Sequence, residues 1–280
     1  MENFKSGVDS LDFSRDTSGA LQEINSWVSL QTNGKITELM SPGSMHAATR
    51  LVLANAVYFQ GNWETQFSPL LTEDAEFFAR EVFPAQKIPL MFREDNMDVG
   101  GLPGLRARAI KLPYKGRKMA LYVILPDEEE TLDEVKVGLD FINLEKLDSY
   151  LKRRLVALHL PKFKLESKLD LVPTLKAMGA EQIFAPGAAN FSGISAPSTR
   201  GVSVASDGSG SLFIDTVVQK AFIEVNEVGT EAAAATGSSF RTTSASLEEP
   251  EVFRCDRPFI FFIKEVLTGL TLFSGKFVGV

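Results

Sequence analysis

From Ser18 to Gln31 the apolar residues Leu21, Ile24, Trp27 and Val28 recur at helical spacing until Asn33-Gly34 interrupts them, which predicts an amphipathic helix with those four on its buried face. "TRLVLANAVYFQGNWE" is an almost continuous apolar run closed by Gly61 and predicts a central strand covered on both faces. "ARAIKLPYKG" and "MALYVILP" flank the polar Gly116-Arg117-Lys118 turn and predict a hairpin. "RPFIFFIKE" and "TLFSGKFVG" around "VLTG" predict a second one. "DEEETLDEVKVGL" and "NLEKLDSYLKRR" carry helical spacing. "LVALHLPKFKLE" alternates around Pro161 as a strand pair or one bent strand. "SKLDLVPTLKAMGAEQIF" fits a helix that buries Leu171, Leu175 and Met178 and is capped by Gly179. "SLFIDTVVQKAFIEVN" is a long strand, and the Ser/Gly-rich stretch 196–211 before it reads as a mobile surface loop. Together these predict a single α+β domain dominated by sheet, without internal repeats or a dividing linker.

At 280 residues and 44% hydrophobic, the chain has enough apolar surface for a sizeable core. A net charge of -7 opposes a nucleic-acid footprint, which needs a clustered basic excess. Two short basic clusters, Arg106, Arg108, Lys111, Lys115, Arg117 and Lys118, and Lys152 to Arg154, are solvated faces of a strand edge and a helix end or else a polyanion site. Apolar runs such as "PFIFFI" are far shorter than the about 20 residues a bilayer-spanning helix needs, so no membrane segment is expected. Cys255 stands alone, "MENFKSGVD" lacks the form of a signal peptide, and Asn190-Phe191-Ser192 is a formal glycosylation sequon of the kind that also arises by chance.

Acyl-transfer catalysis needs a nucleophile with a positioned base. Of the two histidines, His159 lies in an alternating apolar strand, as a core or half-exposed residue would, and His46 lies in a loop or at a helix start. The chain has no G-x-S-x-G elbow, H-E-x-x-H, zinc-spaced Cys/His cluster or Walker loop, so neither enzyme activity, metal nor cofactor is expected.

One stretch remains, "EVNEVGTEAAAATGSSFRTTSAS", residues 224–246. Were 230–242 a strand, Thr230, Ala232, Ala234, Thr236, Ser238, Phe240 and Thr242 would share a face that carries no charge, while Glu231 and Arg241 faced water. Such a segment enters a closed sheet without burying a charge, yet its glycines, alanines and hydroxyl residues make it a poor strand alone. A flexible Ala/Ser-rich linker has the same composition.

"EVNEVGTEAAAAT" resembles the hinge of the serpin reactive-centre loop, in the style of arthropod inhibitory members. Five further stretches are similar to serpin motifs in the right order: "INSWVSLQTNGKI" to helix F, "LVLANAVYFQGNWETQF" to strand 3A, "LPKFKLESKLDL" to a barrel strand and the following helix, "ANFSGIS", and "DRPFIFFIKEVLTGLTLFSGKF" to the closing hairpin. The resemblance implies the serpin fold: a large mixed β-sheet A plus barrel-like sheets B and C with surrounding helices. It also implies a suicide inhibitor of serine proteases, acting as a secreted, extracellular monomer. After attack on the loop, the hinge side inserts into sheet A.

Carried over residue by residue, the hinge is Glu227, Gly229, Thr230, Glu231, Ala232, Ala233, Ala234, Ala235 and Thr236, within a hinge and reactive-centre loop region spanning 224–257. Val228 replaces the usual charged residue, as an exposed position would tolerate. Asn55 matches the shutter asparagine and Trp63 the tryptophan at the top of the sheet; Gln219 stands where many inhibitory serpins carry a shutter histidine, and can donate and accept but not titrate. Family spacing puts the scissile bond at Thr243-Ser244, suited to an elastase-like protease, with Arg241 (trypsin-like) and Leu247 (chymotrypsin-like) as alternatives. Nothing in the chain matches helices A to E, which implies a fragment, a partial gene model or a truncated isoform with an apolar patch behind sheet A. The family's heparin helix is among the missing parts, leaving glycosaminoglycan activation open. The competing readings are a non-inhibitory serpin-fold binding protein and a chain that is only a protease substrate.

Overall fold

The computed structural model describes residues 7–79, 85–191, 212–230 and 249–279. In chain order the elements are α1 (Thr17–Gln31), β1 (Val52–Tyr58), β2 (Gly61–Asn62), β3 (Glu73–Phe77), β4 (Gln86–Gly101), β5 (Ala107–Pro113) and β6 (Met119–Pro126). There follow α2 (Leu132–Leu139), β7 (Lys152–Pro161), β8 (Phe163–Asp170), α3 (Val172–Ala177), β9 (Thr216–Val225) and β10 (Gly229–Thr230). The last three strands are β11 (Glu251–Arg254), β12 (Phe259–Glu265) and β13 (Thr271–Phe277). The chain divides into two compact units, Met1–Tyr58 with Leu165–Phe222 and Phe59–Lys164 with Ile223–Val280.

In the first unit Asp16 caps α1 through Gly19 N, and the left-handed Asn33 (φ 51°) and Gly34 (φ 75°) end its run as expected. The Asn25 side chain accepts from Leu39 N and Met40 N, each at 2.9 Å, and donates to Met40 O at 2.8 Å. That clasp holds the segment after the helix against its own face, so Val28, Ile36, Leu39 and Met40 bury together with Val218 and Phe222 of β9. Strands β1 and β9 pair in parallel over seven residues, from Val52↔Thr216 to Tyr58↔Phe222.

In the second unit the strands order as β11-β7-β4-β5-β6-β12-β13, with β3 also on β4. Both expected hairpins are present, β5–β6 around Gly116 (φ 84°) and Arg117 (φ 55°), and β12–β13. Thr131 and Glu134 form a reciprocal capping box at the start of α2. A phenylalanine cluster includes Phe163 stacked on Phe277 with centroids 4.9 Å apart.

Several expectations are corrected. β1 is not covered on both faces: Leu53 is 44% exposed and Asn55 is exposed, and among the described residues its strand partner is β9 alone. Its run of Val, Leu and Ala is continuous in hydropathy, but only the Val52, Ala54, Ala56 face has a core to meet. Trp27 is exposed at the flank of the α1 face centred on Ile24 and Val28. The helix expected from Ser167 begins only at Val172, because Ser167 to Asp170 continue β8, and Met178 is 78% exposed. Lys152 to Arg154 open β7 instead of closing a helix, and Leu144–Tyr150 before them is 3-10. The stretch 196–211 lies outside the described residues.

Candidate functional site

The second unit folds residues 226–230 into a socket. β9 ends at Val225, and the Asn226 side chain turns the chain back: its Oδ1 accepts from Val228 N at 3.0 Å and Gly229 N at 3.2 Å, while Asn226 N donates to Gly229 O at 2.8 Å. The return strand β10 then pairs on both sides, Thr230↔Val225 of β9 and Gly229↔Asn62, Thr230↔Gly61 of β2. Approach at this point is so close that a Cβ on Gly229 would lie 2.1 Å from Gly61 O.

Trp63 closes one wall. Its Nε1 donates to Asn226 O at 2.8 Å, its backbone N donates to Val228 O at 2.9 Å, and its indole stacks on Tyr114 at 4.7 Å and 12°. The Tyr114 hydroxyl lies 2.8 Å from Thr230 Oγ1, and burial pushes that phenol well above its usual range. Thr230 is 0% exposed, with its one side-chain polar atom bonded.

Glu227 is the charged member, 8% exposed. Its Oε1 accepts from Thr72 Oγ1 at 3.0 Å, its Oε2 lies 3.1 Å from Lys162 Nζ, and its backbone O accepts from Phe67 N at 2.9 Å. Burial alone would raise this carboxyl, but hydrogen bonds from its own backbone, Lys162 and Thr72, with the charge of Lys162, hold it below the usual carboxylate range. Because the folded pKa lies below the unfolded one, the resulting stability is present above the unfolded value and lost as pH falls through the folded value. Glu227→Gln is expected to flatten the acid limb of the melting temperature below the ordinary carboxyl value of 4.5, read by melting across pH 3 to 7. An acid limb unchanged from the parent would remove Glu227 from the site's electrostatics.

Of the expected site residues, the structure brings together Glu227, Gly229, Thr230 and Trp63. Asn55 and Gln219 lie elsewhere, directly opposite each other in the β1–β9 register. Val228 is half-buried, not exposed, because Trp63 N and Asn226 Oδ1 hold its backbone. Glu231, Ala232 to Ala235, Thr236, Arg241, Thr243, Ser244 and Leu247 lie outside the described residues. The sequence reading missed Asn226, Tyr114, Lys162 and Thr72. Only Asn226 carried a local signal, an Asn three residues before a Gly at a strand end.

Glu251 at the start of β11 lies between Arg108 (3.5 Å) and Arg154 (3.2 Å). The basic clusters are largely compensated in this way: Arg106 meets Glu129 at 2.7 Å, Lys111 meets Asp148 at 2.7 Å, Arg117 meets Glu64 at 3.1 Å and Arg153 meets Asp98 at 3.7 Å. These pairs lie at the surface, where each contributes little to stability. Half-buried His159 packs on Phe92 at 4.9 Å; burial first, then the Arg254 charge, hold its imidazole below the usual value. Among the described residues no helix is long and apolar enough to cross a membrane, and no group of three or more His, Cys, Asp or Glu could hold a metal ion.

The family model described as "Serpin (serine protease inhibitor)" matches residues 1–280. The chain is a serpin. It is 36% identical over 277 residues to the leukocyte elastase inhibitor of Equus caballus, covering 96% of this chain and 68% of that protein. To antichymotrypsin-2 of Bombyx mori it is 36% identical over 275 residues, 98% of this chain and 69% of the relative. Among solved structures, Serpin48 of Tenebrio molitor superposes with a TM-score of 0.76 at 32% identity, covering 96% of this serpin and 67% of that chain. Uncleaved ovalbumin gives a TM-score of 0.80 at 31% identity, covering 100% and 71%. This serpin thus spans about two thirds of the length of the proteins it matches. The family has both extracellular and intracellular members.

Proposed function

We propose that this serpin inhibits a serine protease as a suicide substrate, with Glu227 and Gly229 to Thr236 as the hinge and Thr243-Ser244 as the reactive bond. The protease serine attacks the Thr243 carbonyl, the bond to the Ser244 nitrogen breaks, and the leaving amine departs with a proton while Thr243 stays esterified to the enzyme. Residues following Thr230 then extend β10 as a new strand between β1 and β9, a case of strand addition. Thr230 carries this reading. It is already buried and paired on both sides at the start of the uncharged face that continues through Ala232, Ala234 and Thr236. About a dozen added ladder residues, each worth on the order of 1 kcal/mol, give the insertion its driving force. The names of the relatives, an elastase inhibitor and an antichymotrypsin, favour targets with small or apolar primary pockets.

Incubation with elastase-, chymotrypsin- and trypsin-like proteases, followed by denaturing gels and mass spectrometry, tests it. The expected result is an adduct that survives boiling in detergent and a released peptide beginning at Ser244. Cleavage after Arg241 or Leu247 would reassign the bond and the target class. Clean cleavage without adduct by all three enzymes would overturn the inhibitor reading in favour of a substrate or binding role.

A further inference from the structure

Arg93 of β4 is half-buried, at a cost that sheet packing does not explain. Its Nε has no hydrogen-bond partner, and Nη2 reaches only the Met97 sulfur at 3.8 Å. Burial lowers its guanidinium pKa to about 10, and the nearby Asp95 carboxylate offsets part of that. A Leu or Met would fill the same space without an unmet N–H, since a buried charge or polar group costs free energy unless it is bonded.

The other side-chain contacts of Arg93 lie on one short segment. Nη1 donates to Thr65 O, and the guanidinium sits over the Phe67 ring with Cζ 4.8 Å from its centroid. Phe67 in turn meets Trp63 edge-on, centroids 6.3 Å apart. That segment grips the hinge through three bonds: Trp63 N to Val228 O, Trp63 Nε1 to Asn226 O and Phe67 N to Glu227 O. We propose that Arg93 is a positioning residue for the hinge, fixing residues 63–67 so that their three donors meet the carbonyls of 226–228. The inference rests on Glu227, Gly229 and Thr230 belonging to the hinge, but its contacts and its test concern the uncleaved protein alone. Arg is suited to this because its planar fork bonds a carbonyl while its face lies on a ring, which a lysine ammonium cannot do at once.

Native-state hydrogen exchange of the full chain, with no protease present, tests the assignment in Arg93→Met and Arg93→Lys. The probes are the Phe67 amide and the Trp63 indole N–H, both bonded to the hinge, against the amides of the β4–β7 ladder. In Arg93→Met the two hinge-bonded protons should exchange about tenfold faster with the ladder unchanged, the scale of one desolvated cation–π contact and one hydrogen bond. Arg93→Lys should restore part of the protection, keeping the cation over Phe67 but losing the fork. Unchanged exchange at both probes, or equal acceleration of the ladder, overturns the proposal. If Arg93→Met does not fold, Arg93→Lys decides by the same comparison. Because no trapping is read, a failed inhibition assay and a failed positioning role give separable results.

Discussion

Replacing Gly229 with alanine is expected to unseat the hinge and to shift the products of protease attack from trapped adduct to cleaved chain. The new methyl group would lie 2.1 Å from Gly61 O and 2.5 Å from Asn62 Cα, both backbone atoms that cannot rotate away. Either β2 moves or β10 does, and overpacking of this kind costs about 1–3 kcal/mol. Gly229 N also helps to close the Asn226 turn, so a shift of β10 opens that turn. On the mechanism proposed above, Thr230 once displaced no longer starts the insertion from a seated position, so hydrolysis of the acyl-enzyme gains on insertion. The readout is the adduct-to-cleaved ratio on denaturing gels beside exchange at Asn226 N, whose bond to Gly229 O reports the turn. An unchanged ratio with a loosened turn would separate hinge seating from trapping.

What the sequence disclosed and what it hid divide by distance along the chain. The β5–β6 and β12–β13 hairpins, α1 with its Asn33-Gly34 stop, and the long β9 were legible because each is encoded by spacing and turn residues within about twenty positions. The socket was not. Trp63 and Asn226 are 163 residues apart, Thr72 and Glu227 155, Tyr114 and Thr230 116, and Lys162 and Glu227 65. No periodicity within a window reports such pairs, so Tyr114 and Lys162 read as ordinary residues at strand ends. Family resemblance supplied Glu227, Gly229, Thr230 and Trp63 by position, and the structure shows what each does: a buried carboxylate paired to a half-exposed lysine, a backbone approach without room for a methyl, a bonded hydroxyl and an indole donor. β1 failed for the opposite reason. Its apolar run is real, but burial depends on what packs against it, and Leu53 and Asn55 meet nothing among the described residues that would cover them.

Trp63→Ala should be the more destabilising change, and its comparison with Trp63→Phe separates two roles of one side chain. Trp63 is 2% exposed and touches Tyr114, Phe67 and the hinge backbone together. Truncation to alanine leaves a cavity worth about 3–5 kcal/mol and removes the stack that orients Tyr114 toward Thr230. Phenylalanine keeps an aromatic ring against Tyr114 but offers no N–H to Asn226 O, leaving a buried carbonyl short of a donor at about 1–3 kcal/mol. Urea unfolding followed by far-ultraviolet circular dichroism, beside exchange at Asn226 N, reads both. If indole packing is what matters, Trp63→Phe approaches the parent in unfolding midpoint and hinge protection. If the indole donor is what matters, Trp63→Phe keeps most of the stability yet loses the hinge protection, because the lost bond goes to the turn itself. We expect the second outcome, since the stack lies within the core of the unit and the N–H is the one Trp63 side-chain group aimed at the hinge.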